Sequence, residues 1–365
     1  MIINKLKLKN YRNYLKLEIK FNTGQNIIIG NNAQGKTNII EAIYYLAITK
    51  SFLTSNDKMI INKDYESSLI KGEIEGLTGK RELTILVNKE KKRIEINNQE
   101  IKKHSDYVGN MKVIIFSPDN VRILKDGPVN RRRFLNIELS QLYGKYVNVL
   151  NNYNCLLKQR NEYLKSIKVN NNYNPIYMQI INDRFVDDMI TIINYRNDFI
   201  ELINKYIEDI YFNIAGDRGL SIRYYPCIKI ETVDEMREKL LEKINNSYER
   251  ELLYGTSLVG VHREDFSFYL SDNDLSLYGS QGQVKMAILA LKLAETFVFK
   301  EICGEVPILL LDDVFSELDL NKRNNLIKYL NQDMQSIITT TDINEINSEF
   351  IEKALVYKIE NGNVI

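Results

Sequence analysis

The segment Gly30-Asn31-Asn32-Ala33-Gln34-Gly35-Lys36-Thr37 constrains this chain more than any other, because it fits the pattern G-x-x-x-x-G-K-[ST] in full. An apolar run at 26–29 precedes it, as is typical of a buried strand, and apolar residues follow it at helical spacing. These are Ile39, Ile40, Ile43, Tyr44 and Ala47. A strand, a glycine loop and a helix in this order are the context that a phosphate-binding loop requires.

The residue types of this loop suit a nucleotide phosphate. Backbone N–H groups of a glycine loop can surround phosphate oxygens, and the start of the next helix adds positive charge. The motif directs Lys36 to the β- and γ-phosphates and Thr37 to Mg²⁺. The candidate ligands of ATP are Gly30, Asn31, Asn32, Ala33, Gln34, Gly35, Lys36, Thr37 and Asn38. A chance glycine turn would also match the bare pattern, but the flanking strand and helix favour the phosphate loop.

A second apolar run, at 307–311, ends in two carboxylates, Asp312 and Asp313. A buried strand needs no acids at its end. Beside a phosphate loop, the first acid would bind the metal through water and the second would polarise an attacking water. We therefore expect Lys36, Asp312 and Asp313 to be catalytic, and Thr37 and Asp312 to hold the metal. Without a phosphate loop, the same pattern is typical of a strand followed by an acidic turn.

The third motif lies at 277–283 and precedes an apolar-periodic helix. Ser280 and Gln283 have the spacing of a capping box, in which each side chain bonds the backbone N–H of the other residue. That structural role explains the pattern by itself. The same geometry, with Gly282 beside it, also forms an uncovered helix start that can bind a γ-phosphate.

Composition excludes several classes of protein. Of 365 residues, 44% are hydrophobic and 27% charged, which is the balance of a folded globular chain. No apolar run approaches the roughly 18 residues of a membrane span, and the first ten residues alternate charge with apolar side chains. We therefore expect a cytoplasmic chain with no membrane partner. Three distant cysteines and two histidines give no zinc pattern.

The pattern of elements divides the chain into two lobes. Strands are expected at 15–21, 26–29, 68–75, 82–88, 92–97 and 112–116. From about 128 to 213 the spacing is helical, with a break at Asn170-Asn171-Asn172 and Pro175. A strand at 221–225 and a charged helix at 233–252 lead back to α/β character. We expect one α/β lobe from 1–120 and 245–365, and a mainly helical lobe from 121–244.

Basic residues are concentrated near the start of the helical region. The stretch 122–133 contains five cations, Arg122, Lys125, Arg131, Arg132 and Arg133, against one acid, Asp126, in a chain whose net charge is +1. Such a patch predicts contacts to DNA phosphates, with steep salt dependence and little base specificity. A solvated helix start is the alternative interpretation.

The three motifs, in this order, resemble those of the ATP-binding-cassette (ABC) ATPases of the SMC, Rad50 and RecF type, in which Ser-x-Gly-Gln is the signature. Further blocks narrow the resemblance to the RecF family. They are NYRNY at 10–14, GPVNRRRFL at 127–135, LLKQRN at 156–161, GVHRED at 260–265 and LDDVFSELD at 311–319. The interval between Thr37 and Ser280 is too short for the coiled-coil arms of SMC and Rad50 chains.

The resemblance implies an α/β fold: an ABC-type P-loop ATPase lobe with an antiparallel β subdomain, and a mainly helical second lobe inserted between phosphate loop and signature. It implies a homodimer that holds ATP between two copies. Lys36 of one copy would face Ser280 and Gly282 of the other, and Gln283 would complete the catalytic set. Asp319, in the D-loop at 316–319, would cross the seam.

The resemblance also implies a role in recombinational DNA repair. In this family an ATP-bound dimer on duplex or gapped DNA works with RecR and RecO to load RecA at single-strand gaps, supporting replication restart and the SOS response. The ATPase would be weak, DNA-stimulated and used as a switch. An ATP-gated scaffold with only minor DNA contact is the alternative. A nuclease fusion would need more than the 23 residues after Asp342, and a transporter cassette would need a membrane partner.

Three positions depart from the family pattern. Leu53 replaces the usual Arg after Ser51-Phe52, Asn136 replaces Asp, and Glu264 replaces the more usual Asp. The switch position, often His in cassette ATPases, lies within 339–342, which predicts a hydroxyl facing the γ-phosphate.

Overall fold

The computed structural model describes residues 1–170, 173–330, 334–360 and 362–365. They form two compact units. The first comprises Met1–Val121, Tyr206–Leu220 and Gly279–Ile365, and the second comprises Arg122–Lys205 and Ser221–Tyr278. No helix among the described residues is long and apolar enough to cross a membrane.

The strands are β1 (Ile2–Tyr11), β2 (Tyr14–Lys20), β3 (Gln25–Ile29), β4 (Ser67–Gly76), β5 (Gly79–Asn88), β6 (Lys92–Ile96), β7 (Gln99–Glu100), β8 (Val113–Phe116), β9 (Leu220–Tyr225), β10 (Asp265–Leu270), β11 (Asn273–Asp274), β12 (Ile308–Asp312), β13 (Ser336–Thr340), β14 (Leu355–Glu360) and β15 (Asn363–Val364). The helices are α1 (Lys36–Ile48), α2 (His104–Tyr107), α3 (Arg122–Lys125), α4 (Pro128–Leu142), α5 (Gly144–Asn170), α6 (Pro175–Ala215), α7 (Val233–Tyr254), α8 (Leu275–Tyr278), α9 (Gln281–Cys303), α10 (Leu320–Leu330) and α11 (Ser348–Lys353). Short 3₁₀ turns lie at Asp57–Ile60, Pro118–Val121, Phe315–Glu317 and Ile343–Glu345.

The first unit contains two sheets. One is antiparallel, in the order β2-β1-β4-β5-β6-β7. Its strands alternate buried apolar and exposed polar residues, which suits a sheet with one face in water. The other has the order β15-β14-β3-β13-β12-β8, with β14, β3, β13, β12 and β8 parallel. β12 and β13 are buried along their whole length, as expected for central parallel strands.

Helix α1 contacts both sheets, through β4 and β5 on one side and β12, β13 and β8 on the other. Every residue from Ile39 to Ile48 is buried. A helix covered on several sides needs apolar residues around its whole circumference, and this explains why the apolar residues of α1 are not limited to one stripe. The phosphate-loop segment therefore joins the central strand β3 to a helix that is packed on all sides.

The second unit is mainly helical and carries the three-stranded sheet β11-β10-β9. Its boundaries differ from the predicted ones at two places. Residues 245–278 belong to this unit, because α7 packs on α5 and β10 contacts α4. Residues 206–220 belong to the first unit, where Tyr206 stacks on Phe297. Of the predicted break at 170–172, Asn171 and Asn172 lie outside the described residues.

Candidate nucleotide-binding site

The phosphate-loop segment at 30–37, called the P-loop below, has the backbone that its glycines allow. Gly35 precedes α1 with a φ of 110°, a left-handed conformation that glycine adopts without strain. Gly30 directly follows β3 and packs against the backbone of Ile359. A Cβ at position 30 would lie 2.5 Å from the carbonyl oxygen of Ile359. The local structure therefore requires both glycines.

Lys36 is folded back onto the loop. Its ammonium donates to the carbonyl oxygens of Gly30 at 2.6 Å and Asn31 at 3.0 Å. Only 7% of the residue is exposed, and this burial lowers the pKa of Lys36, an effect opposed by the negative charges of Asp313 and Asp312. The carbonyl oxygens of Gly30 and Asn31 thus hold the Lys36 ammonium in this structure. A phosphate would compete with these two oxygens for the three N–H groups of Lys36.

Asp312 ends β12 beside the helix start. Its Oδ1 accepts hydrogen bonds from the hydroxyls of Thr37 at 3.0 Å and Thr339 at 2.7 Å. Burial raises the pKa of Asp312, and the neighbouring Asp313 raises it further, while the two hydroxyl donors lower it. The predicted pair Thr37 and Asp312 is therefore brought together, about 275 residues apart in sequence.

Thr37 and Asp312 offer the hard oxygen donors that Mg²⁺ prefers. Among the described residues, no group of three or more His, Cys, Asp or Glu side chains could hold a metal ion. A Mg²⁺ ion at Thr37 and Asp312 would therefore need further oxygens from nucleotide and water, which is the usual arrangement for this ion.

Asp313 lies just beyond β12 with a left-handed backbone, φ 52°. Its N–H donates to the hydroxyl of Thr339 at 3.0 Å. One carboxylate oxygen, Oδ1, is buried and has no hydrogen-bond partner among the described residues. A buried acceptor without a donor is costly unless a ligand or water satisfies it. Asp313 therefore fits the predicted role of polarising a water.

A cavity joins these groups, and we call it the P-loop cavity. It is lined by Asn32, Ala33, Gly35, Lys36, Thr37, Asn38, Asp312 and Asp313. All of these were predicted from sequence as nucleotide, metal or catalytic residues. Leu53, which replaces the family Arg, is not in the lining; it is 43% exposed and its N–H donates to Ser51.

The signature residues do not line the P-loop cavity. Ser280 and Gln283 form a complete capping box at the start of α9, with N···O distances of 3.2 and 3.0 Å. Ser280 and Gly282 are exposed. The structural role predicted for this pattern is confirmed, and the helix start remains accessible from solvent.

Asp319 is also exposed and does not line the cavity. Its carboxylate accepts from the backbone N–H of Lys322 at 3.0 Å and from the Lys322 ammonium at 2.6 Å, and these contacts lower the pKa of Asp319. In this structure it caps the start of α10.

The turn between β1 and β2 supports the P-loop, and motif reasoning did not assign it this role. The Tyr14 hydroxyl donates to the carbonyl oxygen of Gly35, and the Asn13 amide donates to that of Gln34, both at 3.0 Å. Asn38 in turn donates to Asn13 at 2.8 Å. The available signal was the NYRNY block, which contains both Asn13 and Tyr14.

A buried carboxylate on α1 anchors the same turn. Glu41 is 0% exposed and accepts hydrogen bonds from the hydroxyls of Tyr11 and Ser51 and from two nitrogens of Arg12. Burial raises the pKa of Tyr11 well above its usual value, and the charge of Glu41 adds to this effect. The signal in the sequence was a lone acid within the apolar helix after the P-loop.

The basic stretch at 122–133 requires a correction. Arg131 is buried, and its guanidinium makes two bonds to the carboxylate of Asp265, at 2.6 and 2.8 Å, and further bonds to backbone carbonyls. Arg132 donates to the carbonyl oxygen of Glu264 at 2.8 Å. The prediction that Arg131 presents its charge to DNA is wrong, because α4 turns this side chain toward the interior. Arg122, Lys125 and Arg133 are exposed.

Two departures from the family pattern meet in one buried network of the second unit. Glu264 accepts from Arg196 at 2.8 Å and also from Tyr224. Asn136 accepts from Tyr146 at 2.7 Å and from Arg196 at 3.1 Å. With a neutral Asn136, Arg196 is balanced by the single carboxylate of Glu264.

Comparison with known proteins agrees with this geometry. The family model described as the RecF/RecN/SMC N terminal domain matches residues 2–363. A crystal structure of the Smc head domain of Pyrococcus furiosus, 14% identical, superposes with a TM-score of 0.56 over 100% of this chain and 95% of that one. The protein thus has the ABC-type ATPase fold of the RecF/RecN/SMC class, and the predicted fold class is confirmed.

More similar proteins narrow the assignment. The DNA replication and repair protein RecF of Staphylococcus carnosus is 37% identical, with 100% of both chains covered. That of Ligilactobacillus salivarius is 35% identical over 100% of this chain and 97% of its own. A structure of the recombination mediator protein RecF with ATP, in the RecFOR pathway, is 31% identical with a TM-score of 0.92, covering 100% and 96%. The chain belongs to the RecF family.

Proposed function

We propose that this protein is an ATP-dependent DNA-binding protein of recombinational repair, acting in the cytoplasm as a homodimer. The observation that carries the proposal is the P-loop cavity, where Lys36, Thr37, Asp312 and Asp313 converge in a chain of RecF type over its full length. Binding of ATP by a relative of the same fold supports the choice of nucleotide.

In the proposed site, ATP phosphates replace the carbonyl oxygens of Gly30 and Asn31 as partners of Lys36. Thr37 and Asp312 hold Mg²⁺, which would neutralise charge on the β- and γ-phosphates. Asp313, with its unpartnered oxygen, orients and polarises the attacking water. The hydroxyl of Thr339 donates to the carboxylate of Asp312 and accepts from the backbone N–H of Asp313, and so holds both residues in place.

The position of the signature supports a homodimer. Ser280 and Gly282 form an exposed helix start that does not line the P-loop cavity, so a second copy is the proposed source of this surface at each ATP. Gln283 and Asp319 would take part at the same seam. Because only the dimer makes these γ-phosphate contacts, ATP favours the dimer and hydrolysis reverses the shift. This predicts a weak, DNA-stimulated ATPase that acts as a switch.

The proposed nucleic-acid partner is duplex or gapped DNA. Arg122, Lys125 and Arg133 are exposed cations that can contact phosphates without reading bases. The resemblance to RecF proteins of the RecFOR pathway supports work with RecR and RecO in loading RecA at single-strand gaps, and hence in replication restart and the SOS response.

The first test is the mass in solution, by light scattering, with and without ATP and Mg²⁺. We expect twice 42.7 kDa only with ATP and Mg²⁺. Ser280→Arg should remain monomeric while still binding ATP, because the bulky cation blocks the seam. Ser348→Arg, at an exposed serine that begins α11, is the matched control and should dimerise. A Ser280→Arg protein that dimerises normally would contradict the shared site.

An ATP-gated scaffold with little direct DNA contact is the second candidate. The engagement of Arg131 and Arg132 inside the second unit favours it, since two of the five predicted cations are occupied. Absence of measurable duplex binding by the wild-type dimer would support the scaffold, whereas loss of duplex binding when Arg122, Lys125 and Arg133 are replaced by Ala, with dimerisation intact, would argue against it.

A further inference from the structure

The outer face of the antiparallel sheet carries an unusual number of lysines. Cross-strand register places nine side chains of β2, β1 and β4 in three rows, which we call the lysine face. The rows are Lys16-Lys9-Leu69, Glu18-Lys7-Lys71 and Lys20-Lys5-Glu73. Six lysines and two glutamates give this face a net charge of +4, while the whole chain has +1.

Half of these lysines have no acidic partner in the part of the chain that the structure describes. Lys5 and Lys7 share the single carboxylate of Glu18, and Lys71 pairs with Glu82 at 2.7 Å. No described carboxylate lies within salt-bridge distance of Lys9, Lys16 or Lys20, and all three side chains are exposed.

Two of the unpaired lysines are direct neighbours. Lys9 and Lys16 lie opposite each other on β1 and β2. Like charges at directly opposed positions destabilise a sheet. An ordinary solvated face would place a glutamate at one of them, as Glu18 lies opposite Lys7 in the next row.

The charge is confined to one half of the sheet. Beyond β4, Arg93 on β6 pairs with Glu95 at 2.7 Å and lies 3.4 Å from Glu100. The lysine face spans two strand spacings and four residues along β1, about 10 by 14 Å. A length of 14 Å along a DNA duplex carries about eight phosphate charges.

We propose that the lysine face binds the sugar–phosphate backbone of DNA. This inference rests on the proposed function and adds a surface in the first unit that the basic stretch at 122–133 does not include. Flexible lysines without any aromatic side chain among them suit phosphates, whereas a protein interface is enriched in aromatic residues at its core. Contacts of this kind position the protein on DNA and read no sequence.

The experiment compares duplex binding by full-length wild type and Lys9→Gln/Lys16→Gln, with ATP and Mg²⁺, from 50 to 200 mM NaCl. The probe is a fluorescein-labelled duplex of about 30 base pairs. Each phosphate contact contributes about 0.9 to the slope of log K against log salt, so the double variant should lose about 2. Its loss of affinity across this salt range should be about 10-fold smaller than that of wild type.

The matched control is Lys80→Gln/Lys89→Gln, two exposed lysines of the same sheet region that each lie beside a glutamate. Its slope should equal that of wild type. The melting temperature of Lys9→Gln/Lys16→Gln should be unchanged or slightly higher, because the substitutions remove a repulsion. Its mass in solution with ATP should equal that of wild type.

An unchanged slope in Lys9→Gln/Lys16→Gln, with wild type binding DNA, would overturn this inference and leave the proposed function intact. An unchanged slope together with lost binding to polyglutamate would overturn it in favour of an acidic protein partner. Absence of duplex binding by wild type would overturn both this inference and the proposed DNA role.

Discussion

Replacing Glu41 by Gln should disable the support of the P-loop, because this carboxylate connects α1 to the turn between β1 and β2. Its two oxygens accept four hydrogen bonds, from Tyr11, Ser51 and two nitrogens of Arg12. A glutamine keeps one acceptor and turns an NH₂ group toward donors. The change therefore removes two bonds and leaves Arg12 without its counter-charge.

The magnitude follows from burial. Removing one partner of a buried ion pair costs about 3–5 kcal/mol. The Arg12 side chain is 18% exposed and also donates to the carbonyl oxygen of Met59, so water and that bond offset part of the cost. We expect a loss of about 3 kcal/mol, which lowers the melting temperature of a unit of this size by about 6–12 °C. Affinity for ATP should fall as well, because Asn13 and Tyr14 lose their fixed position.

The assay is differential scanning calorimetry with and without ATP, combined with a double-mutant cycle. Arg12→Met, Glu41→Gln and the double variant should show a coupling of about 2–3 kcal/mol, since the second substitution removes a charge already unpaired. Glu90→Gln, at an exposed carboxylate in the turn after β5, is the control and should leave the melting temperature unchanged. A coupling below about 0.5 kcal/mol, the error of additivity, would refute this account of the pair.

Three further predictions concern the site residues. Asp312→Asn should abolish Mg²⁺-dependent ATP hydrolysis but raise the melting temperature of the nucleotide-free protein. Because burial raises the pKa of Asp312, the ionised carboxylate lowers the stability of the folded state as pH rises through that pKa. The gain in melting temperature, measured by calorimetry, should therefore be larger at pH 8 than at pH 4. Arg131→Ala should destabilise the protein by about 2–4 kcal/mol in chemical denaturation, whereas Arg133→Ala should leave stability unchanged and weaken duplex binding severalfold. Asp313→Asn should retain the ATP-bound dimer on a sizing column long after wild type has dissociated, and Lys36→Met should never form it. Rapid dissociation of the Asp313→Asn dimer would remove Asp313 from the hydrolytic step.

Much of the P-loop cavity could be predicted from sequence because its geometry is local. Strand β3, the glycine loop and α1 are contiguous, so their residue pattern alone specifies a phosphate cradle. The acids after β12 were assigned through a second local pattern. Their meeting with Thr37 required only that parallel strands share a carboxyl edge, as β3, β13 and β12 do.

The basic stretch shows where this reasoning fails. A count of charges between 122 and 133 treats every arginine as exposed, yet helical geometry turns Arg131 inward and Arg133 outward. Asp265, the partner of Arg131, is 134 residues away in the chain. No local pattern predicts such a pairing, because it depends on β10 packing against α4.

Residue patterns along the chain predict the P-loop, the pair of acids after a buried strand, the capped helix start and membership of the RecF family. These features depend on residues close together in the chain, where backbone geometry follows from residue type. Three other features became visible only in the folded chain: Glu41 anchors the turn beside the P-loop, Arg131 is internal, and lysines from three strands form one charged face. Each depends on which distant side chains come into contact, and that is set by strand register and burial rather than by spacing along the chain.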